Sequence, residues 1–102
     1  MEASVNIKKM IAYSEGGITS KVVLSGENNQ VTLFCMAEGT DIGEHTSTKR
    51  GFVYVIEGGG IFNLEGREII MGPGVLINMG KSAKHSLSAN KNTSFLLFLW
   101  EN

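Results

Sequence analysis

Thirteen glycines and a single proline divide this 102-residue chain into short apolar segments. Glycine accepts the positive φ values that tight turns require, and it weakens the interior of a helix. After residue 14 no stretch keeps its apolar residues at the spacing of an amphipathic helix. The pattern predicts about nine or ten short strands joined by turns, and therefore an all-β sandwich or barrel.

The predicted strands show which faces must be covered. In residues 30–37 the odd-numbered side chains point one way and Phe34 and Met36 point the other, and both faces are apolar. One face should line a barrel interior, and the other should meet a second layer or a partner subunit. A short helix competes with a strand in residues 6–13, and from Gly39 a polar, glycine-punctuated loop is expected to lead through His45 into the next strand. Eight of the predicted strands have definite bounds: 18–24, 30–37, 52–57, 61–64, 67–71, 75–78, 85–89 and 95–100.

The composition excludes several classes of protein. We expect residues 1–102 to form one domain, since this length is near the common domain size. The net charge is −1 and the basic residues are scattered, so the positive surface of a nucleic-acid-binding protein is missing. Cys35 is the only cysteine and leaves no intramolecular disulfide. Neither a signal peptide nor a bilayer-length apolar run is present, so we expect a cytoplasmic protein that does not bind membranes.

Two segments place a histidine at a fixed distance from glycines. Gly39, His45 and Gly58 fit the pattern G-x5-H-x-H-x3/4-E-x6-G, and Gly74 and His85 fit G-x5-P-x-G-x2-H-x3-N. These are the two motifs of the cupin family, which the chain resembles over roughly residues 30–100. The resemblance implies a double-stranded β-helix, or jelly roll, with a binding site inside the barrel.

Both motifs are incomplete, and the first lacks positions that would bind metal in the family. Ser47 stands where the first pattern has its second His, and Gly51 stands where it has Glu. In the second motif Gly80 and Ser82 replace Pro and Gly, and Asn90 lies one position late. Cupins typically hold a divalent metal with three His and one Glu, of which this chain retains two. A hydroxyl is a poor ligand and glycine has no side chain, so a metal would be held weakly unless another group joined.

The resemblance makes His45 and His85 the candidate metal ligands, and three roles stay open for them. They could hold Zn²⁺, Ni²⁺, Mn²⁺ or Fe²⁺ weakly, they could contact a ligand directly as hydrogen-bond or acid–base groups, or they could have no functional role. Ser47 and Asn78 are the other predicted ligand-binding residues, unless their side chains only form hydrogen bonds within loops. No catalytic residue is identified.

Other side chains near the motifs have simpler expected roles. Glu44 should face solvent, because neighbours on a strand point to opposite faces. Cys35 is expected to be inert core, with a third, soft metal ligand or a redox thiol as alternatives. Phe52, Tyr54 and Trp100 are interpreted as core or interface aromatics.

The sequence also predicts an assembly and a function. We expect a homodimer, because one small barrel should not expose so much apolar strand surface. The residues behind this expectation are Phe34, Met36, Phe52, Tyr54, Leu97 and Leu99. For function we favour a barrel that binds a small molecule in its interior, with at most weak divalent-metal affinity. The alternative is a metal-dependent enzyme of the oxygenase or isomerase type with a reduced ligand set, and whether a reaction is catalysed stays open.

Overall fold

Nine strands and one short helix make up most of the described chain. The computed structural model describes residues 3–101, and none of the helices within that range is long and apolar enough to cross a membrane. The predicted all-β jelly roll is confirmed. The elements are α1 (Ile7–Met10), β1 (Ile18–Ser25), β2 (Asn29–Met36), β3 (Asp41–His45), β4 (Arg50–Glu57), β5 (Gly60–Leu64), β6 (Arg67–Met71), β7 (Leu76–Met79), β8 (His85–Ala89) and β9 (Thr93–Trp100).

The strands form two antiparallel sheets. One sheet has five strands in the order β1-β2-β9-β4-β7, and the other has four in the order β3-β8-β5-β6. The chain passes repeatedly from one sheet to the other, as in a jelly roll. The predicted hairpin about Glu65 and Gly66 joins β5 to β6. Both turn residues have positive φ, 50° and 82°, as a type I′ turn requires.

Two apolar clusters lie on opposite faces of the five-stranded sheet. The inner cluster, between the sheets, includes the fully buried Val55 and Phe62. The outer cluster contains Leu33 and Cys35 of β2, and side chains from residues 5–13 pack against it. Both faces of β2 are apolar, so its outer face also has to be buried. Residues 5–13 of the same chain bury it and form the second layer over β2.

One predicted loop is in part a strand. Asp41–His45 forms β3, at the edge of the four-stranded sheet, where it pairs with β8. The sequence Asp-Ile-Gly-Glu-His is short and mostly polar, so its alternation is too weak to indicate a strand. Only one side chain of β3 upstream of His45, that of Ile42, packs against the inner cluster.

Much of the apolar surface invoked for a dimer lies inside the barrel. Phe34, Met36 and Leu97 belong to the inner cluster or pack against it, and a methyl of Leu99 lies over the inner face of Gly51. Of the six predicted interface residues, only Phe52 and Tyr54 are exposed outside, at 36% and 40%. The dimer stays a prediction, but this part of its basis is wrong, because strand alternation turns these side chains inward.

Candidate functional site

His45 reaches the barrel interior because β3 contains a bulge. Ile42 pairs with Leu87 and His45 pairs with His85, so two residues of β3 lie between these pairs where β8 has only one. A bulge of this kind lets side chains three residues apart point to the same face. Both Ile42 and His45 therefore line the interior, although strict alternation would turn one of them to solvent.

The two imidazoles lie side by side, and in both rings the same nitrogen, Nδ1, contacts a backbone carbonyl. Their ring centres are 4.0 Å apart and their planes are inclined by 58°. Nδ1 of His45 lies 2.8 Å from the carbonyl oxygen of Gly43, and Nδ1 of His85 lies 3.0 Å from that of Ala83. A carbonyl oxygen only accepts hydrogen bonds, so Nδ1 carries the proton in both rings. Each neutral ring therefore keeps Nε2 as a free acceptor.

The surroundings of the two rings differ. His85 is 7% exposed, and the fully buried ring of Phe62 lies parallel to it, with the ring centres 5.8 Å apart. Burial lowers the pKa of His85 below its ordinary value; the Ala83 carbonyl opposes this shift and the neighbouring His45 adds to it. His85 is thus held in its neutral, hydrogen-bond-accepting form near neutral pH. His45, by contrast, lies at the exposed side of the pair.

A small apolar cavity opens between the sheets beside the two rings. Its volume is about 80 Å³, roughly that of two or three water molecules. Apart from the imidazoles, every described side chain that lines it is apolar: Phe34, Ile42, Val53, Phe62, Met79, Leu87, Phe95 and Leu97. Most of the barrel interior is thus filled by side chains, and the two histidines are the polar groups at the remaining space.

The comparison with known sequences agrees with this geometry. The sequence pattern of the cupin domain family matches residues 32–100. The chain belongs to the cupin family. No curated protein matches this cupin at a significant level of sequence similarity.

Solved structures show the same fold at low sequence identity. A conserved protein of unknown function from Streptococcus pyogenes is 19% identical, with a TM-score of 0.88 over 100% of this cupin and 90% of that chain. A cupin superfamily protein from Desulfitobacterium hafniense is 15% identical, with a TM-score of 0.88 over 100% and 94% of the two chains. A protein described as a predicted oxalate decarboxylase from Thermotoga maritima is 18% identical, with a TM-score of 0.76 over 83% and 81%.

The position that carries the metal-binding Glu in the cupin pattern is closed by packing. Gly51 is buried on β4, and a Cβ added there would lie 2.9 Å from Cδ2 of Leu99, 3.0 Å from the carbonyl oxygen of Phe98 and 3.3 Å from Cε of Met79. These distances are shorter than ordinary carbon contacts. Apolar side chains therefore occupy the space into which a carboxylate would have to project.

Ser47 does not replace the missing histidine. Its hydroxyl accepts a hydrogen bond from the backbone N–H of Lys49 at 3.2 Å, and its carbonyl accepts one from Ser82 at 2.7 Å. The hydroxyl thus closes a turn, the carbonyl ties together the loops that follow β3 and precede β8, and Ser47 does not line the cavity. Within residues 3–101 no three His, Cys, Asp or Glu side chains come together at a metal-binding distance. The donor set does not fit the four-ligand metal of the family.

Asn78 lies away from the histidine pair. It pairs with Phe52 across β7 and β4, on the outer face of the five-stranded sheet, and it is exposed. Its neighbours Ile77 and Met79 are the β7 side chains that point inward. The structure therefore does not bring Asn78 to the two histidines, because the alternation of β7 directs it to solvent.

Two other candidates are also separated from the site. Glu44 is exposed on β3, as expected. Cys35 is 3% exposed in the outer cluster, on the face of β2 opposite Phe34. Because the histidines lie on the inner side of the barrel, the Cys35 thiol is not a third ligand beside them.

The aromatic side of the site was not predicted from the sequence. Phe62 stacks on His85, and Phe34 and Phe95 form a second, nearly parallel pair with ring centres 5.0 Å apart. All three phenylalanines line the cavity. The parity of Phe62 on β5 was readable, but which parity faces inward depends on pairing with β8, which lies more than twenty residues away in the chain.

Proposed function

We propose that this cupin binds a small molecule by placing its hydrogen-bond donor between His45 and His85 and an apolar group in the adjoining cavity. The observation that carries the proposal is that two adjacent imidazoles, with ring centres 4.0 Å apart, line one otherwise apolar cavity. Since both Nδ1 atoms already donate to backbone carbonyls, the free lone pairs are left for a ligand. Membership in the cupin family, whose members bind small molecules or metals, supports the proposal in general terms.

The cavity limits what the ligand can be. A volume of about 80 Å³ is far below the roughly 300 Å³ of a pocket for a drug-sized ligand. Only a few heavy atoms enter, so the ligand is either very small or inserts one end while the rest stays in solvent beside the exposed His45. The apolar lining disfavours a charged group inside, because no described side chain there would neutralise it. We therefore favour an uncharged, apolar group next to an O–H or N–H donor.

The two histidines give a direct test, because the chain contains no others. Each imidazole gives its own Cε1–H NMR signal, which we would assign with His45→Ala and His85→Ala. The probes are n-butanol and butyramide, each of which carries a donor on a short apolar chain. We expect saturable shifts of both signals and a rise in melting temperature with probe concentration.

The matched control is Asn78→Ala, which changes an exposed polar residue away from the cavity and should bind the probes like the wild type. Probes that shift neither imidazole signal would contradict the proposal. Equal stabilisation of wild type and a His45→Ala/His85→Ala double variant would contradict it too.

Weak binding of a divalent metal by the same two imidazoles is the second candidate. Two free Nε2 atoms at one cavity favour it, with water completing the coordination of Zn²⁺, Ni²⁺, Mn²⁺ or Fe²⁺. Elemental analysis of protein purified without a nickel column tests it. Metal that is lost in His45→Ala and in His85→Ala would support this candidate, and metal retained in the double variant would exclude these ligands. The enzyme alternative would need donors beyond those that residues 3–101 bring together.

A homodimer and a cytoplasmic location also belong to the proposal. The exposed Phe52 and Tyr54 are what remains of the original basis for the dimer. The net charge of −1 supports the expectation that neither nucleic acid nor a membrane surface is a partner.

A further inference from the structure

The five-stranded sheet extends one strand beyond the sheet that covers it. No residue of β1 belongs to the inner cluster or packs against it. Ile18 pairs with Met36 and Val22 pairs with Thr32, so both side chains lie on the inner face of the sheet. Even so, they are 37% and 49% exposed, whereas Met36 is fully buried. The inner face of β1 is thus an apolar surface without a strand beneath it.

The backbone of β1 is also unpaired on its outer edge. Within residues 3–101, β1 is a terminal strand and pairs only with β2. The N–H of Ala37 donates to the carbonyl of Gly17 at 3.0 Å, which fixes the backbone groups that point toward β2. Because these groups alternate along a strand, the N–H and C=O of Ile18, Ser20 and Val22 point to the open edge. An edge of this kind is a template for another strand.

We propose that β1 pairs antiparallel with β1 of a second copy of this chain, about a twofold axis beside Ser20. In this register Ser20 faces Ser20, and Ile18 of each copy faces Val22 of the other. All three residues direct their backbone groups to the open edge, so each facing pair exchanges hydrogen bonds. The exposed apolar side chains then meet one another in pairs, and two five-stranded sheets become one.

The sequence of β1 favours this register over its neighbour. If Lys21 faced Lys21, like charges would lie opposite each other, and Ile18 would face Leu24 beyond the bulge between Val22 and Leu24. In the proposed register Lys21 faces Thr19 instead. The regular part of the strand, from Ile18 to Val22, is also the part that pairs, and the bulge ends the pairing. This self-complementarity is why we assign the edge to a second copy.

The register is tested by placing a cysteine on the axis. Ser20→Cys should form a disulfide-linked dimer under mild oxidation, because facing residues of this type have Cα atoms about 5.5 Å apart. Thr19→Cys is the matched control: it lies two residues out of register with its own copy, beyond the roughly 7 Å limit for a disulfide. The native Cys35 is buried and should not react in either variant. Light scattering should give the wild type twice the 11.0 kDa mass of one chain.

Three further variants distinguish this interface from the exposed aromatic surface at Phe52 and Tyr54. Ser20→Pro removes an N–H that points away from β2, and Ser20→Glu places two carboxylates together at the axis. Both should give folded monomers by circular dichroism and light scattering, while Phe52→Ser should remain dimeric. A wild-type monomer at high micromolar concentration would overturn the proposal. So would a dimer that survives Ser20→Pro and dissociates in Phe52→Ser, or equal cross-linking at positions 19 and 20. None of these results depends on ligand binding at the histidines.

Discussion

The two histidines reach one cavity from strands of opposite character. His85 lies on the regular strand β8, is buried, and packs against Phe62. His45 lies after a bulge on the edge strand β3 and is exposed. The first cupin motif, on the His45 side, has also lost two family ligands, and the space of one is filled by Leu99. The His85 side is thus the tightly packed wall of the site, and the His45 side is the more exposed one.

The largest expected difference concerns the apolar walls beside the two rings. Phe62→Ala should lower the free energy of unfolding by about 3 to 5 kcal/mol, because it removes a fully buried ring and leaves a cavity behind His85. Ile42→Ala, on the His45 side, should cost less, since Ile42 is only half-buried. Urea denaturation of both variants measures the difference. Equal losses of stability would show that the His85 side is not packed more tightly than the His45 side.

A smaller effect is expected at the closed ligand position. Gly51→Ala should cost about 1 to 3 kcal/mol, because the new methyl group would press on Leu99 and on the Phe98 carbonyl. Leu99→Ala should relieve part of this cost in a double-mutant cycle. Gly43→Ala is the matched control, since a Cβ at Gly43 would meet no atom within 4 Å. If Gly51→Ala and Gly43→Ala were equally tolerated, the position would be open to a carboxylate after all.

The histidines themselves should differ by a smaller margin. His85→Ala should cost about 1 to 2 kcal/mol, because it removes a buried ring and its hydrogen bond to Ala83. His45→Ala should change stability by no more than about 0.5 kcal/mol, since that ring is exposed. Both variants should lose probe binding. A larger stability loss for His45→Ala would reverse the comparison.

The smallest effect is a dependence of stability on pH. The pKa of His85 is lower in the folded chain than its ordinary value, mainly because of burial, with His45 as the facing titratable group. The neutral ring therefore stabilises the fold, fully above about pH 6.5 and less as the pH falls through that value toward the folded pKa. His85→Gln should remove this part of the slope between about pH 7.5 and pH 5.5 in urea denaturation. An unchanged slope in that variant would show that other groups cause it.

Strand positions were predictable from the sequence where the physical signal is local. Alternation on β2 and the turn at Glu65 and Gly66 indicate a strand and a hairpin without any knowledge of the fold. β3 was missed, because a short, polar strand with a bulge has no alternation to detect. Its histidine was found only through the spacing of the cupin motif.

The site was predictable only in part, because its geometry depends on contacts between distant segments. The motif spacing paired His45 with His85, and the structure brings them together. The inward parity of β7, with Ile77 and Met79, was readable and would have placed Asn78 outside. The closure of the Gly51 position by Leu99 was not readable, since it depends on the packing of β9 against β4, nearly fifty residues apart in the chain.

The proposed site requires both imidazoles to offer Nε2 as a free acceptor to one cavity. The ¹⁵N NMR shifts of histidine-labelled protein, at a pH where both rings are neutral, report which ring nitrogen carries the proton. We expect a protonated Nδ1 and an unprotonated Nε2 in His45 and in His85, as their carbonyl partners require. A proton on Nε2 of either ring would remove one of the two acceptors and contradict the account.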